Sequence, residues 1–224
     1  MATVILADDH ALVRVGLRRV LESVGHQVLD EVEDGLLVVP AVEREHPDVL
    51  LLDLGLPGLH GLDVLLEVTR RVPSTKVLVV SAYNRDEFVS AALRTGAAGY
   101  VLKGAQADEL LDAVAEVSRG AYYVSPQLSD SLERTGAVGL ETVDDPYEAL
   151  STRERQVFLL MAEGLLNHQV GVQLCISPRT VETHRAHIMK KLGLKTQTDV
   201  VLYALRRGLM SLDDAAGAPR LDVF

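Results

Sequence analysis

The sequence predicts a doubly wound α/β sheet of five parallel strands, followed by a small all-α domain. Three observations predict it. Over the first 120 residues, short β-branched runs alternate with longer helical patterns. Two of those runs, Val49–Leu52 and Val77–Val80, are continuously apolar, as strands covered on both faces must be. From Leu150 onward the pattern is helical only.

The elements follow in order. Strands are expected at Thr3–Ala7, Gln27–Val32, Asp48–Asp53, Lys76–Ser81 and Gly99–Leu102. Helices are expected between and after them, at Leu12–Ser23, Leu36–Glu45, Gly61–Arg71, Arg85–Arg94 and Ala107–Arg119. Leu36, Val39 and Val42 recur at helical spacing, as do Leu110, Leu111, Val114 and Val117. Five βα repeats imply a parallel sheet with right-handed crossovers, in which a ligand binds at the C-terminal ends of the strands. Residues 121–146 hold Gly, Ser, Pro and Asp without periodicity and read as a linker, with a short helix around Gln127–Arg134. Ser151-Thr152-Arg153-Glu154 is a capping box that opens a helix through Ala162, and Gly164 stops it. A second helix is expected at Asn167–Leu174. Ser177-Pro178 caps a third, which runs to Leu192 and ends at Gly193. A fourth runs from Thr198 to Arg207, and residues 211–224 form a tail.

The net charge of −10 disfavours nucleic acid when taken whole, but it is unevenly spread. Residues 1–125 carry 11 Lys+Arg against 19 Asp+Glu, whereas residues 147–210 carry 9 against 5. One compact basic block beside an acidic one is the pattern of a DNA-binding module attached to an acidic partner. No run approaches the ~18 apolar residues of a membrane helix, and no secretory signal opens the chain. The lone cysteine, Cys175, excludes an intrachain disulfide, and a reducing cytosol fits. Its apolar surroundings predict a core position.

Chemistry-bearing residues sit where the predicted strands end. Asp8 and Asp9 follow the first strand and Asp53 the third, and those two ends are neighbours in such a sheet. Three close carboxylates repel and raise one another's pKa values, which a Mg²⁺ ion relieves as a hard, oxygen-binding cation. Asp53 can then attack phosphorus and form an acyl phosphate. Ser81 ends the fourth strand and offers a hydroxyl to a phosphoryl oxygen. Lys103 follows the fifth and offers a point charge.

Residues 1–120 resemble the receiver domain of two-component response regulators. Ala7-Asp8-Asp9-His10, Asp53-Leu54-Gly55-Leu56-Pro57-Gly58, Ser81-Ala82 and Gly99-Tyr100-Val101-Leu102-Lys103 carry the resemblance. It implies strand order 2-1-3-4-5 and Asp53 as phosphoacceptor. It further implies Asp8, Asp9, Asp53 and the Gly55 carbonyl as Mg²⁺ ligands. Ser81, Lys103 and the aromatic Tyr100 become the phosphate and switch residues. The chain departs from many relatives at Leu56, where they have Met, and at Gly104, where they have a cis-proline.

Residues 147–210 resemble the LuxR-type helix-turn-helix of NarL/FixJ regulators. The match runs from Leu150-Ser151-Thr152-Arg153-Glu154 through Ile176-Ser177-Pro178-Arg179-Thr180-Val181-Glu182-Thr183-His184 to Lys191-Leu192-Gly193. It implies DNA contacts from Arg179, Thr180, Glu182, Thr183, Arg185, Ala186, Lys190, Lys191 and Lys195. Leu174, Ile176, Val181, Ile188 and Leu192 are the expected core, and Val200, Val201, Ala204 and Leu205 the expected dimer face. Leu166, His168, Glu182 and Ala186 depart from residues common at those positions and make the reading face less basic. The resemblances together imply a cytoplasmic transcription regulator that is not an enzyme. Its partners would be a sensor histidine kinase, double-stranded DNA and a second copy of itself, with no membrane. Two alternatives stand beside it. One is a regulator that works without phosphate. The other is an aspartyl-phosphate phosphatase of the haloacid dehalogenase type, which would want an acid where Gly55 stands.

Overall fold

The computed structural model describes residues 1–128, 146–207 and 209–210. They fall into two compact units, one within residues 1–141 and one within residues 142–224. The tail expected at 211–224, and residues 129–134 of the helix expected in the linker, lie outside the described residues.

The first unit runs β1 (Thr3–Ala7), α1 (Ala11–Ser23), β2 (Gln27–Val32), α2 (Gly35–Glu45), β3 (Val49–Leu52) and α3 (Gly61–Arg71). It continues with β4 (Lys76–Ser81), α4 (Asp86–Thr95), β5 (Gly99–Leu102), α5 (Ala107–Ser118) and β6 (Tyr123–Val124). All strand pairs are parallel, in the order β2-β1-β3-β4-β5-β6. The expected 2-1-3-4-5 order is present, but the sheet has six strands rather than five. The sixth lies in the segment read as linker. Its two residues are too few to show a period, and the sheet itself creates it: Tyr123 N–H donates to Ala98 O at 3.2 Å and Ser125 N–H to Tyr100 O at 2.9 Å. Gly99 permits this pairing, since a side chain there would stand 2.6 Å from the Tyr123 carbonyl oxygen.

The central strands explain their own composition. Val49, Leu50, Leu51 and Leu52 are all buried because helices cover both faces of β3. One core layer joins Val4, Leu6, Leu51, Leu78 and Val80 of the sheet to Leu110, Ala113, Val114 and Val117 of α5. Each Val or Leu among them contributes about 1.5–3 kcal/mol of burial.

The second unit holds a 3₁₀ turn (Pro146–Ala149), α6 (Thr152–Ala162), α7 (Asn167–Gln173), α8 (Pro178–Leu192) and α9 (Gln197–Arg207). The capping box forms as its sequence predicts, with Ser151 N–H donating to Glu154 Oε2 at 2.8 Å. Ser177 Oγ accepts from Thr180 N–H at 3.0 Å and opens α8, which Gly193 closes in the left-handed conformation. Val181, Ile188 and Leu192 are buried, while Leu174 and Ile176 are only half-buried. An aromatic cluster takes their place: Tyr147 meets Phe158 edge-on at 5.4 Å and Tyr203 at 6.5 Å. Cys175 is exposed, contrary to its expected core position. It occupies the left-handed region, at φ 53°, in the tight turn between α7 and α8, so its side chain is turned outward.

Candidate functional site

The sheet register builds the acidic pocket. Ala7 of β1 pairs with Leu52 of β3, so Asp8 and Asp53 are each the next residue after a matched pair. The ladder runs one bond further, with Asp53 N–H donating to Ala7 O at 2.8 Å. On the other side Ser81 pairs with Leu102, and Lys103 N–H donates to Ser81 O at 3.0 Å. Four neighbouring strand ends thus deliver Asp8, Asp53, Ser81 and Lys103 to one rim.

Lys103 Nζ lies 2.7 Å from Asp8 Oδ2 and 2.8 Å from Asp53 Oδ2. Burial pushes the Asp53 carboxyl above the ordinary carboxylate value, outweighing the pull of Lys103 and of the Gly55 N–H, and Asp8 adds to the rise. Burial acts on Lys103 in the opposite sense, but its two carboxylate partners prevail and raise it. One ammonium therefore serves two buried acids. A third acid remains: Asp9 Oδ1 is buried and accepts no hydrogen bond, although His10 Nδ1 approaches it to 2.6 Å. Oxygens of Asp8, Asp9 and Asp53 lie within 4.8 Å of one another and of a His10 nitrogen. A buried carboxylate oxygen that accepts no hydrogen bond, clustered with other hard oxygen donors, fits a divalent cation such as Mg²⁺.

Ser81 and Tyr100 are fully buried. Tyr100 does not lie on an edge strand, because β6 covers β5. Its hydroxyl donates to Tyr83 O at 2.7 Å, and burial drives its pKa upward. Two pocket residues carried no assigned role in the sequence reading. His10 N–H donates to Asp8 Oδ1 at 2.8 Å, and the Arg14 guanidinium donates to Asp8 O at 2.6 Å while pairing with Glu31 and Glu33. His10 adjoins the paired acids, which is a signal. Arg14 gives none, because its partners come from β2 and the turn after it.

In the second unit Arg179, Glu182, Thr183 and Ala186 are exposed at i, i+3, i+4 and i+7 of α8, so they share one face. Thr180, Lys190 and Lys195 are exposed as well. Thr180 and Thr183 bond only within the cap and first turns of α8, through Ser177 Oγ and Arg179 O, but two other expected DNA contacts are tied to different elements of the unit. Lys191 Nζ lies 2.7 Å from Glu154 Oε2 and donates to Ala149 O, because Glu154 at the start of α6 needs a counter-charge. Arg185 is half-buried and donates to Gln197 Oε1 at 3.1 Å, beside a cavity lined also by Asn167, His168 and Pro178. Val200 and Ala204 are fully buried in their own domain, which leaves half-buried Val201 and Leu205, with exposed Leu202, on the outer side of α9.

Comparison with known families places both units. Residues 4–115 match the response regulator receiver domain, and residues 148–204 match the bacterial regulatory proteins of the luxR family. The oxygen regulatory protein NreC of Staphylococcus carnosus is 37% identical over 214 residues, covering 92% of this chain and 98% of NreC. The chain belongs to the LuxR-type response regulators. This response regulator also resembles solved structures, one over most of its length and one over less than two thirds of it. RcsB from Salmonella enterica, bound to promoter P1flhDC with BeF3⁻, is 29% identical with a TM-score of 0.58, over 90% of this chain and 97% of RcsB. A LuxR-family two-component regulator from Aurantimonas is 28% identical with a TM-score of 0.59, over 61% of this chain and 98% of the other. The regulator pairs a receiver with a LuxR-type DNA-binding domain, and its family is one of transcription regulators rather than classical enzymes. Among the described residues no helix is long and apolar enough to cross a membrane.

Proposed function

We propose that a sensor histidine kinase phosphorylates Asp53 and that the acyl phosphate controls sequence-specific DNA binding by residues 147–210. The observation that carries this reading is the single ammonium of Lys103, bridging two buried carboxylates beside a third whose buried oxygen meets only His10. Asp8, Asp9 and Asp53, with the Gly55 carbonyl, would hold Mg²⁺. Such an ion neutralises phosphoryl oxygens during transfer. An Asp53 oxygen forms the new P–O bond while the P–N bond of a phosphohistidine donor breaks, and the imidazole leaves with a proton. Lys103 can then exchange its Asp53 contact for a phosphoryl oxygen, and Ser81 can donate to another. Tyr100 follows Ser81 and releases its bond to Tyr83, which alters the surface around α4 and β5.

The receiver would span residues 1–120, with 121–146 linking it to the DNA-binding domain and 211–224 following as a tail. Arg179, Thr180, Glu182, Thr183 and Ala186 would face the major groove, and Lys190 and Lys195 the phosphates. RcsB dimers are described on DNA. Here Val201, Leu202 and Leu205 would supply a two-fold contact between copies. A cytoplasmic setting suits a chain that meets both a kinase and DNA. The test is Asp53→Asn. It should abolish acyl-phosphate labelling and remove any gain in DNA affinity on adding a phosphodonor with Mg²⁺. Labelling that persists unchanged would overturn the reading.

A further inference from the structure

We propose that Glu182 reads the exocyclic amino group of a cytosine in each DNA half-site, an inference that rests on the DNA-binding reading above. Glu182 lies in the N-terminal half of α8, the part of a recognition helix that reaches base edges. It shares its exposed face with Arg179, Thr183 and Ala186, while Val181 and Ile188 anchor the opposite side in the core. Glu182 takes no part in an ion pair or hydrogen bond among the described residues. Its carboxylate is therefore available, with no internal partner to turn it aside.

A free carboxylate on that face is costly unless DNA supplies a partner. Duplex DNA carries a negative charge about every 1.7 Å along its axis, so Glu182 is repelled from every site that offers it no donor. The major groove presents only two kinds of donor, the cytosine N4 amino and the adenine N6 amino. The adenine amino lies between two acceptors, its own N7 and O4 of the paired thymine. The cytosine amino has an acceptor on one side only, the O6 of its guanine, so a carboxylate meets less repulsion there. Neighbouring Thr183 and Ala186 are small, and neither fills the groove ahead of it. Glu182 then acts in two ways: it accepts a hydrogen bond at the right site and weakens binding at every wrong one.

The test uses the full-length protein with Mg²⁺ and beryllofluoride, selecting from a random duplex library. The wild-type protein should enrich a half-site with cytosine at one fixed position. Changing that C·G pair to T·A should weaken its binding roughly tenfold. E182A should lose the preference at that position alone, keep the rest of the half-site, and bind unselected duplex more tightly. E182Q should shift the preference there toward adenine, which glutamine reads through N6 and N7. Retained selection at the other positions shows that the variants are folded. Selection by E182A that matches the wild type at every position overturns the role of Glu182. So does a lost preference for any base other than cytosine. A wild-type protein that enriches no sequence overturns the DNA-binding reading as well, an outcome distinct from both.

Discussion

Helix α3 comes so close to the Asp53 loop at Gly61 that an added methyl group would stand 2.4 Å from the Asp53 carbonyl oxygen and 2.5 Å from Leu54 Cα. Both are backbone atoms at the end of a buried strand, so neither can yield as a flexible side-chain tip would. Gly61→Ala should therefore lower stability by about 2 kcal/mol, the usual scale of overpacking. Because the displaced atoms belong to Asp53 and the residue after it, labelling from a small-molecule phosphodonor should slow as well. Urea denaturation and a labelling time course check the two effects, and an unchanged labelling rate would show that the loop tolerates the methyl. At this scale the pocket was largely legible in the sequence, because Asp8, Asp53, Ser81 and Lys103 each end an apolar run. Cys175 and Lys191 were not. Apolar neighbours say nothing about the left-handed turn that exposes Cys175. The basic stretch that suggested DNA contact for Lys191 conceals a carboxylate 37 positions away.

Two elements are held by side chains whose partners are remote in sequence. Glu154 caps α6 and pairs with Lys191 near the end of α8, tying the two helices together. Its burial alone would raise its pKa, but Lys191 and the Ser151 amide and hydroxyl hold it down to about 2, against an ordinary value of 4.5. A carboxylate depressed on folding adds stability that is complete above its unfolded value and disappears as pH falls to its folded one. The window here runs from about 4.5 down to about 2. Glu154→Gln should cost about 2 kcal/mol at neutral pH, allowing for screening at half-exposed Lys191. Near pH 2 wild type and variant should converge. Hydrogen exchange of the Thr152–Ala162 amides measures the difference, and a gap independent of pH would exclude the ion pair as its source. The capping box was legible because its four residues are contiguous, whereas the long-range tie had no local pattern. Strand β6 was missed for the same reason. Ser125 holds it beside β5, its hydroxyl accepting from Leu102 N–H at 3.3 Å and bonding Glu109. Ser125→Ala leaves that half-buried N–H without its partner and should cost the receiver about 1 kcal/mol in urea unfolding.

Across the whole molecule, the charge division legible in the sequence sets a physical problem. The acidic first unit is repelled by the DNA that the basic second unit attracts. A signal at Asp53 therefore matters only if it changes what the second unit can do. Such coupling has a thermodynamic signature that does not depend on how the units are arranged. If beryllofluoride at the Asp53 pocket raises DNA affinity by some factor, DNA must raise beryllofluoride affinity by the same factor. A value of about tenfold lies in the usual range of such couplings. It can be measured twice, by titrating DNA at saturating beryllofluoride and by titrating beryllofluoride at saturating DNA, at one protein concentration and one salt concentration. Asp53→Asn should bring the effect on DNA affinity to a factor of one and leave no beryllofluoride binding to titrate. If the unaltered protein also gives a factor of one in both directions, its two units act independently, and control of DNA binding by phosphorylation is excluded.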